Sequence, residues 1–413
     1  MDPAVVLKPA KVTIWNRNFI CAVLANLFLC VAHFSVNTLV ATYATFLGAA
    51  PVIMGLLTGM FFAVALAIRP VSGPMITKID KRKLMIFIYA LGGVVNIGYA
   101  LFHSIPAFVV FRFLNGVQYS FVGSLIMTVA ADSLPKEKMA SGIGIFGIGG
   151  AIGTAFGPFI GTSLLNFGIK TLNNEDFGFT LVFLFAAVVL SLAVIPSVML
   201  RPDAKTKEDV ASTGVWYKNI ITVYAVPVTV VMFFVIMSYA LYNSYIVNFA
   251  DEQGIGNVSV FYLVMAGTLI FSRPLSGLLT DKLGVAKVIL PGMALFAVSF
   301  LIVGFSKTLG MALVGAVVAA IGVGATQPPL QAMCIQTEVP LKRSVASNTI
   351  YVGMDVGLFL GPLLGSVVYK HTSFAFMFKS AIVPVVLAFV SFIIILPMYN
   401  KRVRALEAAE KEK

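Results

Sequence analysis

The feature that most constrains this chain is the recurrence, along its whole length, of apolar stretches of 18 or more residues. As helices, such stretches are long enough to cross the ~30 Å hydrocarbon core of a bilayer. Composition agrees. The chain is 59% hydrophobic and only 11% charged, whereas soluble proteins carry about 25% charged residues. So few charges cannot cover a water-facing surface, and a lipid-facing one needs none. The first apolar run begins near Phe19 and is too long for the core of a cleavable signal, so it reads as the first span. Cys21, Cys30 and Cys334 fall in or beside spans and imply no disulfide framework.

Twelve spans are expected, near 19–45, 51–71, 84–103, 106–131, 141–167, 179–199, 220–248, 258–273, 286–306, 309–336, 345–368 and 380–399. A polar stretch from Arg201 to Lys218 separates two sets of six. The expected divisions are a six-helix bundle at 1–199, a cytoplasmic linker at 200–219, a second bundle at 220–400 and a cytoplasmic tail at 401–413. With both termini cytoplasmic, 24 of the Lys and Arg residues fall on inside segments and only four (Lys170, Lys307, Lys370, Lys379) outside, with Arg112 inside a span. This is the positive-inside pattern. The net charge of +12 is therefore topogenic and is no sign of nucleic-acid binding.

The two sets of six repeat one another. Arg69-Pro70-Val71-Ser72-Gly73 matches Arg273-Pro274-Leu275-Ser276-Gly277 at a shift of 204. At the same shift, Gly153, Gly157, Pro158 and Gly161 match Gly357, Gly361, Pro362 and Gly365. Two related bundles place a solute site between them, near the midplane.

On these motifs the chain resembles the major facilitator superfamily over essentially its full length. The loop after span 8, Gly277-Leu278-Leu279-Thr280-Asp281-Lys282-Leu283-Gly284, is similar to the family's Gly-x-x-x-Asp-Arg/Lys-x-Gly-Arg-Arg signature. Its first-half copy begins at Gly73, has Thr77 where Asp is usual and Asp80 where Gly is usual, and keeps the basic cluster Lys81-Arg82-Lys83. Arg112-x-x-x-Gly116 in span 4 resembles the second family motif. Gly153-x-x-x-Gly157-Pro158-x-x-Gly161 in span 5 resembles the motif of the drug:proton antiporter branch, typically an efflux branch. The resemblance implies an all-α fold of twelve transmembrane helices in two six-helix repeats, moving a solute by alternating access.

Small residues let membrane helices approach closely, and Pro158 removes a backbone donor. The Gly153, Gly157, Gly161 ridge thus packs against a neighbour, either as plain helix packing or as part of a seal. Asp281 is expected to latch one conformation by pairing with a cation or a helix N-terminus. The basic cluster has topology as its alternative role, and Asp132 with Pro135 and Lys136 reads as interfacial.

Polar residues recur at helical spacing in several spans. These are Asn26, Cys30, His33 and Asn37 in span 1, Arg112, Asn115 and Tyr119 in span 4, and Tyr239, Tyr242 and Asn243 in span 7. Span 10 has Gln327, Gln331 and Cys334, and span 11 has Asn348, Tyr351 and Asp355. The family fold implies that spans 1, 4, 7 and 10 line a central cavity. Each amide has interhelical hydrogen bonding as its alternative role. His33 is a candidate to bind solute or a proton, or to serve structure. Arg112 is expected to face protein or water, because a cation in lipid is costly, and is a proton-coupling candidate that contacts solute or steers proton release from a carboxylate; snorkelling to the outer interface is its alternative.

Of the acids, Asp355 alone lies well inside a span, roughly 15 Å deep by helix rise. It is the candidate coupling carboxylate, with a permanent structural pairing as the alternative. Many relatives in the efflux branch place an acid in span 1, where this chain has Asn26, His33 and Asn37. No metal cluster, phosphate-binding loop or catalytic Ser/His/Asp set is legible, so no cofactor and no enzymatic activity are expected. The expected protein is a multi-pass plasma-membrane transporter working as a monomer. It moves a small organic solute by proton-coupled efflux; the alternative is a facilitator or symporter importing a nutrient. Lipid, solute and protons are its expected partners.

Overall fold

The computed structural model describes residues 13–171, 173–202 and 214–411. Among these the chain is all-α. Its twelve long apolar helices are α1 (Arg17–Phe46), α2 (Ile53–Lys78), α3 (Lys81–Leu101), α4 (Ile105–Asp132), α5 (Lys136–Thr171) and α6 (Glu175–Met199), then α7 (Val226–Gln253), α8 (Val260–Leu283), α9 (Val285–Gly304), α10 (Leu309–Gln336), α11 (Pro340–His371) and α12 (Phe374–Ala409). A helix satisfies its own backbone groups, which hydrocarbon cannot do. Large side chains such as Leu56, Phe87, Phe159, Val188, Phe271 and Ile394 are exposed and form the lipid-facing surface.

The span expectations need correction at four ends. α2 and α8 do not stop at 71 and 273. They run through Pro70, Pro74 and Pro274 to Lys78 and Leu283. Arg69 and Arg273 therefore lie inside the bundle and leave the inside count, whose sign is unchanged. α7 starts at Val226 rather than 220, after a 3-10 turn at Trp216–Asn219. The last helix runs unbroken from Ile382 to Lys411, so what is described of 401–413 continues α12 rather than forming a separate tail. Linker residues 203–213 and N-terminal Lys8 and Lys11 lie outside the described residues.

The glycine ridges pack within each half, not between halves. A Cβ on Gly153 would lie 2.5 Å from the Cys30 Cβ, and one on Gly161 would lie 2.3 Å from the Ser35 carbonyl oxygen, both on α1. In the second half, Gly361 approaches the Met237 carbonyl on α7 in the same way, at 2.3 Å. The antiporter-like motif thus joins α1 to α5, and its copy joins α7 to α11. Tyr245 donates to the Pro362 carbonyl at 2.9 Å, anchoring that second junction.

Twelve crossings bring the start of α1 and the end of α12 to one face, here the terminal face. The halves join along two seams, α2–α11 and α5–α8, and polar bonds between them gather towards this face. Asp281 accepts hydrogen bonds from the backbone N–H groups of Ala140 (3.1 Å) and Ser141 (2.9 Å), and from the Ser141 hydroxyl. This is a carboxylate on a helix N-terminus, one of the two pairings expected for it. The mirror position, Thr77, meets Ser344 at 2.6 Å through a neutral hydroxyl bond. Lys81 and Arg343 both pair with Asp132, at 2.9 and 3.4 Å, so Asp132 helps tie the halves together. Gly73 and Gly277 are two of the close approaches on the seams. A Cβ there would lie 2.7 Å from Asn348 Nδ2 and 2.3 Å from the Ala140 carbonyl oxygen.

The first-half departure from the family signature also has a structural reason. Gly284 sits at φ 89°, a left-handed conformation that favours glycine. Its mirror, Asp80, has φ −56° and caps α3, accepting from Lys83 N–H at 2.9 Å. The two loops reach the same turn by different chemistry. Arg82 belongs to the first turn of α3.

Asp281→Asn should weaken the α5–α8 latch by about 1–2 kcal/mol, through loss of the charge on these donors. Spin labels on Glu137→Cys and Lys282→Cys, with native cysteines replaced, should then show a larger long-distance population than the Asp281 parent. An unchanged distance distribution would remove Asp281 from the latch.

Candidate functional site

The centre of the α2–α11 seam holds a buried ion pair. Arg69 Nε donates to Asp355 Oδ2 at 2.9 Å, and both side chains are 1% exposed. Arg69 also donates to the Ser120 carbonyl at 2.8 Å, and its guanidinium lies 4.9 Å from the Tyr351 ring centroid. Asn348 Nδ2 donates to the Arg69 carbonyl at 2.9 Å, and Ser72 donates to Asn348 Oδ1 at 3.1 Å. Asn348 therefore fixes the backbone that carries the arginine. Arg69 Nη2 and Asp355 Oδ1 have no hydrogen-bond partner among the described residues. An ion pair of this kind is strongly held, because removing either partner strands a charge in a dry site.

The mirror arginine, Arg273, lies on the α5–α8 seam. It donates to the Gly147 carbonyl and, at 2.9 Å, to Gln327 Oε1. The position that mirrors Asp355 is Ala151, so Arg273 has no matching carboxylate. Tyr239, Cys30 and Tyr351 lie within its electrostatic reach. Tyr119 in turn lies within reach of Asp355, Arg69, Tyr351 and Cys30. Tyr119, Tyr239, Tyr351, Gln327 and Arg273 are all partly exposed inside the bundle. They form one central cluster built from α4, α7, α8, α10 and α11.

The remaining sequence candidates divide. Gln331 is nearly buried beside the cluster, against Met354. Asn243 is exposed, one helical turn beyond Tyr239, and its backbone carbonyl accepts from Tyr262 at 3.4 Å. His33, Asn37, Arg112 and Asn115 line a separate small polar pocket inside the first half, with Asn96 and Gln118. It measures about 10 Å³, close to the room one water needs. His33 stacks on Tyr119 with ring centroids 5.3 Å apart, and also meets Phe61. Arg112 is 1% exposed, as expected of a cation kept from lipid. It donates to the Leu57 carbonyl (3.0 Å) and Asn37 Oδ1 (2.8 Å), and its guanidinium lies 4.8 Å from the Phe61 ring centroid.

Two candidates do not reach a cavity. Asn26 donates to the Phe146 carbonyl at 2.9 Å and ties α1 to α5. Tyr242 is fully buried among Phe261, Phe300 and Phe378 and meets Ser299 at 2.9 Å. Each satisfies a polar group by packing, which helical spacing alone does not separate from lining a cavity. Sequence reasoning missed Arg69 and Arg273 as site residues, because an Arg-Pro pair looked like the end of a span. Their repetition at the 204 shift was the available signal.

Comparison with known proteins fits this architecture. The family model described as Major Facilitator Superfamily matches residues 22–282 and 228–413. An uncharacterized MFS-type transporter of Methanocaldococcus jannaschii is 24% identical over 374 residues, which is 86% of this chain and 92% of that protein. The multi-drug resistance efflux pump PmrA of Streptococcus pneumoniae is 28% identical over 230 residues, 54% of this chain and about half (51%) of the pump. Among solved structures, the MFS transporter FucP in its outward conformation superposes with a TM-score of 0.71 at 12% identity, covering 93% of this chain and 99% of that one. Twelve membrane helices in two repeated halves, charged seams at one face and a family match over nearly the whole chain identify it as a member of the major facilitator superfamily of transporters.

Proposed function

We propose that this transporter exchanges protons for a small organic solute by alternating access, and that it drives the solute out of the cell. The observation that carries this reading is the Arg69–Asp355 pair, a titratable bond placed across a seam between the halves. We place the terminal face in the cytoplasm, a reading supported by the basic excess of the connecting segments, and propose a monomer in the plasma membrane. Polar bonds close the two seams at the terminal face, which fits a state whose solute site is reached from the other side. A proton entering from outside neutralises Asp355 and releases Arg69. The α2–α11 seam loosens, the halves rock, and the site faces the cytoplasm. Solute binds there as the proton leaves, and the restored ion pair closes the face again. The similarity to a multi-drug efflux pump supports the outward direction.

The test is solute flux in proteoliposomes under an imposed pH gradient, run on a panel of compounds with an interior pH dye. Antiport predicts that adding a substrate on the solute-loading side moves protons the opposite way. Movement of both in the same direction, or no proton movement during net flux, would overturn the reading. In the same assay Arg112→Ala should lower flux about tenfold, since it removes charge-assisted bonds worth about 1.5–3 kcal/mol that tie α4 to α1 and α2. A normal monodisperse profile with normal flux would show that Arg112 is dispensable.

A further inference from the structure

The charges inside the bundle bear on what the solute is. Setting aside Lys401 and Arg402 near the terminal-face end of α12, four charged side chains among the described residues lie at least seven residues from either end of their spans: Arg69, Arg112, Arg273 and Asp355. Three are cations and one is an anion. Asp355 is committed to Arg69. Arg112 is enclosed by neutral partners in the first-half pocket. Arg273 remains, partly exposed in the central cluster, with only the Gly147 carbonyl and Gln327 Oε1 as acceptors. Its Nε is buried and has no hydrogen-bond partner among the described residues. Beside it, a Cβ on Gly150 would meet nothing but Arg273 Nη1, at 3.1 Å, so the wall is open at the guanidinium. Tyr239 and Tyr351, within its electrostatic reach, bring hydroxyl donors and flat ring faces.

An uncompensated cation at this depth is costly, and a guanidinium is the side chain best shaped for a planar anionic head. The geometry points to an organic anion as the transported solute, its carboxylate or sulfonate head paired with Arg273 and its apolar body against the tyrosines. A cationic solute would meet Arg273 with no free carboxylate to hold it, because Asp355 is taken. The inference rests on reading the central cluster as the solute site, and it deepens the proposed function by fixing the sign of the solute's charge.

The test uses the full chain purified in detergent and four matched probes: 1-naphthoate, naphthalene-1-sulfonate, 1-naphthamide and 1-naphthylmethylammonium. Thermal stabilisation and equilibrium dialysis give affinities without any pH gradient. The two anions should bind, and the amide and ammonium should bind at least about tenfold more weakly, as loss of a charge-assisted bond requires. Arg273→Gln should weaken anion binding by a similar factor and amide binding by much less, and Arg273→Lys should fall between. If Arg273→Gln does not fold, the wild type decides. Naphthoate affinity should fall with its ionised fraction as pH is lowered, relative to that of the sulfonate. No binding by either anion, equal or tighter binding by the ammonium, or anion binding indifferent to Arg273→Gln would overturn the proposal. Proton coupling plays no part in these readouts, so failure of the antiport reading is scored separately, by flux.

Discussion

Asp355→Asn is expected to abolish transport driven by a pH gradient, by about 100-fold or more, while leaving solute binding and slow uncoupled exchange. The change removes the titratable group on the α2–α11 seam and keeps an oxygen that can accept from Arg69 Nε, 2.9 Å away in the parent. It also leaves a buried guanidinium without a counter-charge, which should lower stability by about 3 kcal/mol. The double variant Arg69→Gln with Asp355→Asn separates the two effects. With both charges gone, stability should largely return, because neither partner is stranded. Coupling should not return. Proteoliposome flux with and without a pH gradient, beside thermal unfolding, checks both. Coupling in Asp355→Asn equal to the parent, or coupling regained in the double variant, would reduce the pair to a structural tie.

The second large effect belongs to the glycine ridge. In Gly161→Val, the added carbon would sit 2.3 Å from the Ser35 carbonyl oxygen, and the obstacle is helix backbone rather than a side chain that can turn away. α1 and α5 must then separate, at a cost of about 3 kcal/mol or more for overpacking. The variant should show low folded yield and a markedly lower unfolding temperature. Gly361→Val, whose carbon would meet the Met237 carbonyl at 2.3 Å, should behave alike. Gly267→Ala in α8 is the control. Nothing lies within 4 Å of its added carbon, so the result should be neutral or stabilising by about 0.5–1 kcal/mol. Equal behaviour of Gly161→Val and Gly267→Ala would mean that the ridge does not set the α1–α5 distance.

The fold was legible because bilayer thickness fixes element length, and because the 204-residue repeat marks two copies of one bundle. The contact of Asp281 with a helix N-terminus was legible as one of two pairings, since an anion at the end of a loop motif needs a donor group nearby. Asp355 stood out as the mid-span acid, but its partner did not. Arg69 reads as a loop cation when Pro70 is taken for a helix end, and only packing against neighbouring helices keeps such a proline inside a span. Tyr242 and Asn26 show the opposite limit. A polar group on a helix face looks the same in sequence whether water or another helix covers it. The ridge at Gly153, Gly157 and Gly161 was recognisable as a contact, yet nothing local says whether the contacted helix lies in the same half or across the seam.

Each seam carries one deep arginine and one nearby carboxylate, but the two acids sit at different heights. Asp281 lies eight residues beyond Arg273 on the same helix, about 12 Å along the axis, whereas Asp355 lies level with Arg69 in direct contact. One acid is therefore within reach of the aqueous phase at the terminal face, and the other is sealed from it. Dissolved salt screens charges near water and scarcely touches those sealed away. Raising ionic strength should slacken the fastenings at the terminal face, Asp281 on α5–α8 and Asp132 with Lys81 and Arg343, whereas acidification from the opposite compartment should act first on the Arg69–Asp355 pair of α2–α11. Under the proposed mechanism the electrolyte of one compartment and the acidity of the other would act through separate fastenings, which gives an experimenter two independent handles on a single closure.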